Sequence, residues 1–313
     1  MTTTAPTLAA LVERSAAPAA VRLALVRLEG AHPGTADRLA SDVNLAATVV
    51  AVAGASRSLP VLLERDPEAI EVLAALDVRA PVPSGDELDE DSLVAWHQRE
   101  HLRIAARDLR GLDELPAVAC ALSQLAADVL LASAILAGGE DLVVVGMGKL
   151  GGEELNYSSD VDLMLVAADG TAAAAEGTAR RVLSVARRCF RVDANLRPEG
   201  RDGPLVRSLD SYRAYWERWA APWEFQALLK ARPVAGPAEL ADAFATAAAE
   251  ALWGRALSAD DLRSLRSMKA RTEAEVAKRG LSARDLKRAA GGIRDIEFAV
   301  QLLQLVHGRH DPA

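Results

Sequence analysis

The sequence predicts an α+β fold, with a small mixed sheet flanked by all-helical regions at both ends. Three observations carry this prediction. Residues 7–112 and 238–306 show helical patterning interrupted by proline and glycine. Between them the apolar run Val143-Val144-Val145 enters the glycine turn Gly146-Met147-Gly148-Lys149-Leu150-Gly151-Gly152. A second apolar run, Val161-Asp162-Leu163-Met164-Leu165-Val166, then follows Ser158-Ser159-Asp160.

The first region divides at Pro18, at His32-Pro33-Gly34, at Gly54, at Pro60 and at the turn-rich run 81–91. Asp91-Ser92 is expected to cap a helix that reaches Asp108. Residues 115–138 are the most apolar stretch, but they include Ser123, Gln124, Asp128 and Ser133, and Glu140 follows directly. This reads as a buried helix, because a membrane span calls for about 20 residues with few or no charges.

The glycine turn fits G-x-G-x-x-G, the dinucleotide fingerprint. That motif needs a crossover helix before its next parallel strand, and the connection takes about a dozen residues or more. Only residues 152–159 intervene here. A short helix leading into a neighbouring antiparallel or mixed strand fits better. On that second strand Asp160 and Asp162 share a face, while Val161 and Leu163 point into a core. Adjacent carboxylates repel one another unless a positive charge lies between them.

Residues 171–188 read as a helix, and Phe190-Arg191-Val192-Asp193-Ala194-Asn195-Leu196-Arg197-Pro198 as another short strand, with Asp193 on the face opposite Val192. Three aspartates from adjacent strands form an oxygen-only donor set suited to Mg²⁺ or Mn²⁺ rather than zinc. Residues 209–230 are expected to be helical with one aromatic face (Tyr212, Tyr215, Trp216, Trp219, Trp223) that serves packing. Further helices are expected over 238–256, 260–279 and 293–306. The domains are accordingly drawn as 1–112, 113–235 and 236–313.

Composition narrows the function. A net charge of −8 argues against a general nucleic-acid binder. Cys120 and Cys189 lie far apart and read as buried thiols of a reducing cytoplasm. The start of the chain lacks the basic stretch of a secretory signal. His97-Gln98-Arg99-Glu100-His101 matches the inverted zinc-protease motif H-x-x-E-H, but no companion motif supplies a third ligand. The competing reading is a polar helical stretch in which Glu100 pairs with Arg103.

The glycine turn, the Asp-x-Asp strand and the later strand aspartate together resemble the DNA polymerase β-like nucleotidyltransferase superfamily. More specific strings follow: Gly148-Lys149-Leu150-Gly151-Gly152-Glu153-Glu154-Leu155-Asn156-Tyr157-Ser158-Ser159-Asp160-Val161-Asp162-Leu163; Val192-Asp193 with Leu196-Arg197-Pro198; Gly203-Pro204-Leu205-Val206; Trp223-Glu224 with Lys230-Ala231-Arg232-Pro233-Val234; and Gly291-Gly292-Ile293-Arg294-Asp295-Ile296-Glu297-Phe298. In this order they resemble the bifunctional glutamine synthetase adenylyltransferase/adenylyl-removing family, whose members carry two nucleotidyltransferase halves in one long chain. Asn156 after Leu155 resembles the removing half, where the transferring half typically has glycine. The chain is therefore read as a fragment with one of two active sites.

The resemblance implies a site and a reaction. Asp160, Asp162 and Asp193 would hold two Mg²⁺ ions. Gly148, Gly151 and Gly152 would let backbone approach phosphate, with Lys149, Ser159, Arg197, Lys230 and Arg232 as further phosphate or nucleotide contacts. Arg294 and Glu297 are expected to have a structural or interdomain role. The family pattern often has arginine where this chain has Asn195 and Phe225. Inorganic phosphate would attack the AMP phosphorus of adenylylated glutamine synthetase, giving ADP and the unmodified synthetase. The alternatives are AMP transfer from ATP to the same target, or a non-catalytic scaffold that binds it. A nitrogen signal-transduction protein is the expected regulator.

Overall fold

A computed structural model describes residues 6–139 and 141–308. They form two compact units. The first comprises residues up to 132 together with 153–159 and 185–189, and the second the remainder.

The first unit is helical: α1 (Leu8–Glu13), α2 (Pro18–Ala31), α3 (Thr35–Ser41), α4 (Val43–Ala55), α5 (Leu59–Arg65), α6 (Glu68–Ala74), α7 (Glu90–Leu109) and most of α8 (Leu115–Ala137). Proline opens α2 and lies in the first turn of α5, where its missing N–H costs nothing. Around α4, Leu28, Leu39, Leu45, Val49, Leu63, Ile70, Leu73 and Leu102 form one buried cluster. The cap of α7 is Asp89 rather than Asp91. Its carboxylate accepts from the N–H groups of Asp91 and Ser92, and the Ser92 hydroxyl accepts from the Asp89 N–H. The carboxylate two residues earlier reaches the free donors of the first turn, which decides the boundary. α8 is the one helix among the described residues long and apolar enough to cross a membrane, and 61% of its most apolar window is buried.

The zinc-motif residues lie on α7. Glu100 accepts from two guanidinium nitrogens of Arg103, Nη2 at 2.7 and Nε at 2.9 Å, and is buried. His97 is buried and packs 6.0 Å from the His101 ring. The ion-pair reading is the one that holds, since the carboxylate is already committed. Cys189 is half-buried, but Cys120 is exposed, against the expectation of two buried thiols.

The second unit is built on β1 (Val143–Gly146), α9 (Gly148–Gly151), β2 (Val161–Ala167), α10 (Ala172–Ala186, whose last two residues are counted with the first unit), β3 (Val192–Asp193), β4 (Val206–Ser208), α11 (Leu209–Arg218), α12 (Pro222–Leu228), β5 (Arg232–Ala235), α13 (Ala238–Trp253), α14 (Ala259–Lys278) and α15 (Ile293–His307). The sheet order is β3-β2-β1-β5, with β4 also pairing β2. β1 runs antiparallel to β2 and β5, whereas β3 and β4 run parallel to β2. This is the expected mixed sheet. The antiparallel return of β2 needs no crossover, so the dinucleotide reading falls.

Three local expectations are corrected. The short helix is α9, inside the glycine turn, rather than residues 152–159. There the Asn156 side chain accepts from the Ser158 N–H and the Ser159 hydroxyl from the Asn156 N–H, so side chains compete with helix formation. The strand expected over 190–198 pairs only at Val192 and Asp193. The helix expected over 209–230 breaks before Pro222, which holds Ala221 extended at φ −76°, ψ 155°. Its aromatic face divides accordingly: Tyr212 and Trp216 are buried against Phe244, while Trp219 is exposed.

The expected boundary at 235 does not coincide with a change of core. Val143, Val145, Met164 and Val166 of the sheet share one buried cluster with Phe244 of α13, Leu265 of α14 and Phe298 and Leu305 of α15. Burying one face of the sheet takes all of these helices.

Candidate active site

β2 starts beside the turn that carries Gly148. The Met147 N–H donates to the Asp162 carbonyl at 2.8 Å, and Gly148 adopts φ +52°. A Cβ added there would lie 3.0 Å from Asp162 Oδ2. A side chain at this position would crowd the carboxylate in a backbone conformation that favours glycine. In the parallel pairing of β2 with β3, Asp162 stands opposite Asp193. Asp160 precedes β2 by one residue and is exposed.

The electrostatics follow from this placement. Burial pushes the Asp162 carboxyl up to about 6, the charges of Asp193 and Asp160 push in the same direction, and Lys287 and Lys149 oppose them. Asp160 forms an ion pair with Arg191 at 2.6 Å. Asp193 accepts from the Asn195 N–H at 2.8 Å. Among the described residues, no group of three or more acid, histidine or cysteine side chains is arranged to hold a metal ion. The three aspartates thus share one neighbourhood, but Asp160 and Asp193 direct oxygens to local partners. As an oxygen-only, anionic donor set they suit a hard divalent cation, which would relieve the mutual repulsion that adds to burial in raising Asp162.

A cavity of about 420 Å³ opens in front of β2. Its lining includes Gly148, Lys149, Asp160, Asp162, Trp223 and Lys230 together with Lys287, Arg288, Arg294 and Glu297. Its size suits a nucleotide-sized ligand. Arg294 and Glu297 therefore reach the site, against the expectation of a purely structural or interdomain role.

Other expected contacts are placed elsewhere. A Cβ on Gly151 would lie 1.6 Å from the Lys230 carbonyl oxygen, so this glycine serves close backbone packing. Arg232 donates to the carbonyls of Gly151 and Leu150, closing the end of α9. The Arg197 guanidinium donates to the carbonyls of Ala194, Gly203 and Pro204. Neither arginine lines the cavity, and neither do Gly152 or Asp193. Ser159 belongs to the first unit and closes its own turn with Asn156. Glu224 accepts from the Ala221 N–H and the Tyr215 hydroxyl, which makes it a helix cap. The sequence reading missed Lys287 and Arg288 altogether. The signal available was their position just ahead of the Gly291-Gly292-Ile293-Arg294 motif.

A mixed sheet whose second strand carries Asp-x-Asp after a glycine turn defines a polymerase β-like nucleotidyltransferase domain. The glutamate-ammonia ligase adenylyltransferase family matches residues 65–247, and the chain belongs to that family. A second family, GlnD PII-uridylyltransferase, matches residues 266–312. Similar proteins carry the name bifunctional glutamine synthetase adenylyltransferase/adenylyl-removing enzyme. The one from Streptomyces avermitilis is 39% identical over 341 residues, covering 98% of this chain and 34% of the relative. That from Mycolicibacterium smegmatis is 39% identical across 82% of this chain and 25% of its own length. That from Mycobacterium tuberculosis is 47% identical across 54% of this chain and 17% of its own length. The chain thus spans about a third or less of these relatives.

Proposed function

We propose that this chain carries a nucleotidyltransferase site that removes AMP from glutamine synthetase by phosphorolysis. One observation carries the reading: Asp160 and Asp162 share a nucleotide-sized cavity with Lys149 and Lys230. A binding scaffold has no use for clustered acids facing basic groups. Asn156 in the Leu155-Asn156-Tyr157-Ser158-Ser159-Asp160 string favours removal over transfer, through the family resemblance.

Asp160, Asp162 and Asp193 would hold Mg²⁺, or Mn²⁺, with Asp160 exchanging its Arg191 partner. Such ions, when bound, neutralise phosphoryl oxygens and help align attacking and leaving groups. Lys149 and Lys230 place positive charge where the AMP phosphate would sit, and Trp223, partly exposed on the cavity wall, offers a flat face to the base. An orthophosphate oxygen forms a bond to the AMP phosphorus, the phosphorus–tyrosyl oxygen bond breaks, and tyrosinate leaves and takes a proton from solvent. The products are ADP and unmodified synthetase. A nitrogen signal-transduction protein as regulator, and a cytoplasmic setting, belong to the same proposal.

The test supplies the chain with adenylylated glutamine synthetase and Mg²⁺, with and without inorganic phosphate, and follows ADP. Phosphate-dependent ADP supports removal. Consumption of ATP with release of pyrophosphate on the unmodified synthetase, and no ADP from the modified one, would replace removal by transfer.

A further inference from the structure

We infer that Lys287 and Arg294 bind the second phosphate group of the nucleotide, the orthophosphate that attacks AMP and leaves as the β-phosphate of ADP. This rests on the nucleotidyltransferase reading above and assigns a phosphate subsite to the segment before α15 and the first turn of that helix, outside the sheet.

Both side chains line the cavity that also holds Asp160 and Asp162. Both residues are exposed, and among the described residues neither forms a salt bridge or side-chain hydrogen bond. Arg288 differs, since Asp285 takes its guanidinium at 2.9 Å. The cavity wall carries Lys149, Lys230, Lys287, Arg288 and Arg294 against Asp160, Asp162 and Glu297, an excess of two cationic groups (five less three) before any metal binds. Such a surplus suits a ligand with more than the single charge of a phosphodiester.

The backbone fixes the two cations together. The Arg294 N–H donates to the Lys287 carbonyl at 3.0 Å, and the Ile293 N–H to the Leu286 carbonyl at 2.9 Å. Gly291 holds φ +80°, and a Cβ on Gly292 would lie 2.7 Å from the Leu286 carbonyl oxygen. The Gly291 N–H donates to Asp295, which is in turn paired with Lys269 at 2.9 Å. The paired glycines thus permit a tight crossing that sets Lys287 beside Arg294. A phosphate held by these two cations therefore shares one cavity with the acids that would hold the AMP phosphate.

The experiment measures equilibrium binding of AMP, ADP and ATP, and of orthophosphate in the presence of AMP, to the full chain with Mg²⁺. It compares wild type, Lys287→Ala, Arg294→Ala, the charge-retaining Lys287→Arg, and Arg263→Ala as a control on an exposed pair distant in sequence from the turn. Each alanine variant should raise the ADP dissociation constant about tenfold, the worth of one charge-assisted hydrogen bond. AMP affinity should change less than about twofold in the same variants, and Lys287→Arg should restore most of the loss. Orthophosphate binding should weaken in parallel with ADP. Equal weakening of AMP and ADP, or no change in ADP, would overturn the assignment while leaving the nucleotide site standing. Loss confined to ATP, with orthophosphate unaffected, would overturn it in favour of a transfer site. Failure of the wild-type chain to bind either AMP or ADP would instead overturn the nucleotide reading itself. Both residues are exposed, so truncation removes no core contact, and circular dichroism checks the fold.

Discussion

The cations of α7 in the helical unit and those of the cavity in the sheet unit are held differently. In the helical unit most cations on α7 are locked: Arg99 to Asp66 and Glu68, Arg103 to Glu100, and Arg107 to Asp77 and Asp113. Arg107 holds the Asp113 carboxyl below its ordinary range. In the sheet unit Lys149, Lys287 and Arg294 have no such partner among the described residues, yet they line one cavity with two aspartates. Charges satisfied internally fix a fold, and charges left facing a cavity wait for a ligand. If that division is right, substitutions in the first set should change stability with little effect on chemistry, and substitutions in the second should do the reverse.

The largest effect is expected at the aspartates. Asp160→Asn with Asp162→Asn should lower phosphate-dependent ADP formation by about a thousandfold or more, the scale on which phosphoryl transfer depends on positioned charge. The same variant should unfold at an equal or higher urea concentration, because it removes the burial of a charged Asp162 carboxylate and its repulsion by neighbouring acids. A fall in both activity and stability would assign these acids to structure instead. Gly151→Ala tests the opposite case within the same turn. A methyl group 1.6 Å from the Lys230 carbonyl must push backbone apart, so the variant should lose about 3 kcal/mol or fail to fold.

Much of the sheet unit was legible because its signals are local. The Asp-x-Asp strand, the antiparallel return and the later aspartate follow from alternation and from a connection too short for a crossover. What sequence periodicity could not supply was where long side chains end. Arg197 and Arg232 look like phosphate contacts, yet backbone carbonyls near them in space take their donors. Lys287 and Arg288 are marked in sequence only by their place ahead of the Gly291-Gly292 motif, and they line the cavity in a unit where α13 to α15 pack on the sheet through Phe244, Leu265, Phe298 and Leu305. The α7 boundary was missed by two residues, since caps compete over such short distances, whereas the break before Pro222 was not expected at all in a helix read as continuous over 209–230.

Arg103→Ala sharpens the comparison from the helical side. It would strip buried Glu100 of its closest partner, leaving Arg79 at 3.3 Å. Removing one partner of a buried pair typically costs about 3 kcal/mol. Chemical denaturation should show that loss, with ADP formation unchanged at temperatures where the variant remains folded. A parallel loss of activity in the folded variant would mean that the helical unit takes part in catalysis.

The smallest effect in this series is set by pH and is confined to the helical unit. Burial, reinforced by nearby His101, holds His97 at about 4 against an ordinary 6.5, so it is neutral in the folded chain. The unfolded chain binds the proton first as pH falls. The stability contributed by the neutral ring is therefore complete above 6.5 and is lost progressively down to about 4. Each tenfold difference in proton affinity between folded and unfolded chain is worth about 1.4 kcal/mol, which bounds the loss at about 3 kcal/mol, and only about 2 kcal/mol of it falls above about pH 5. Urea midpoints at neutral pH and in mild acid (about pH 7 and about pH 5) should reveal the decline, and His97→Gln should flatten it. A wild-type midpoint that did not move, or an equal slope in His97→Gln, would place the acid sensitivity elsewhere. The aspartates of the sheet unit give a useful contrast. Asp162 is raised rather than lowered, so the folded chain takes up its proton before the unfolded chain does, and this group alone would make acid stabilising. Opposite signs in the two units would make a chain whose helical part weakens in mild acid while its site acids become easier to accommodate. Residue-resolved hydrogen exchange at the two pH values would separate the two, with protection falling on α4 and α7 and holding on β1 and β2.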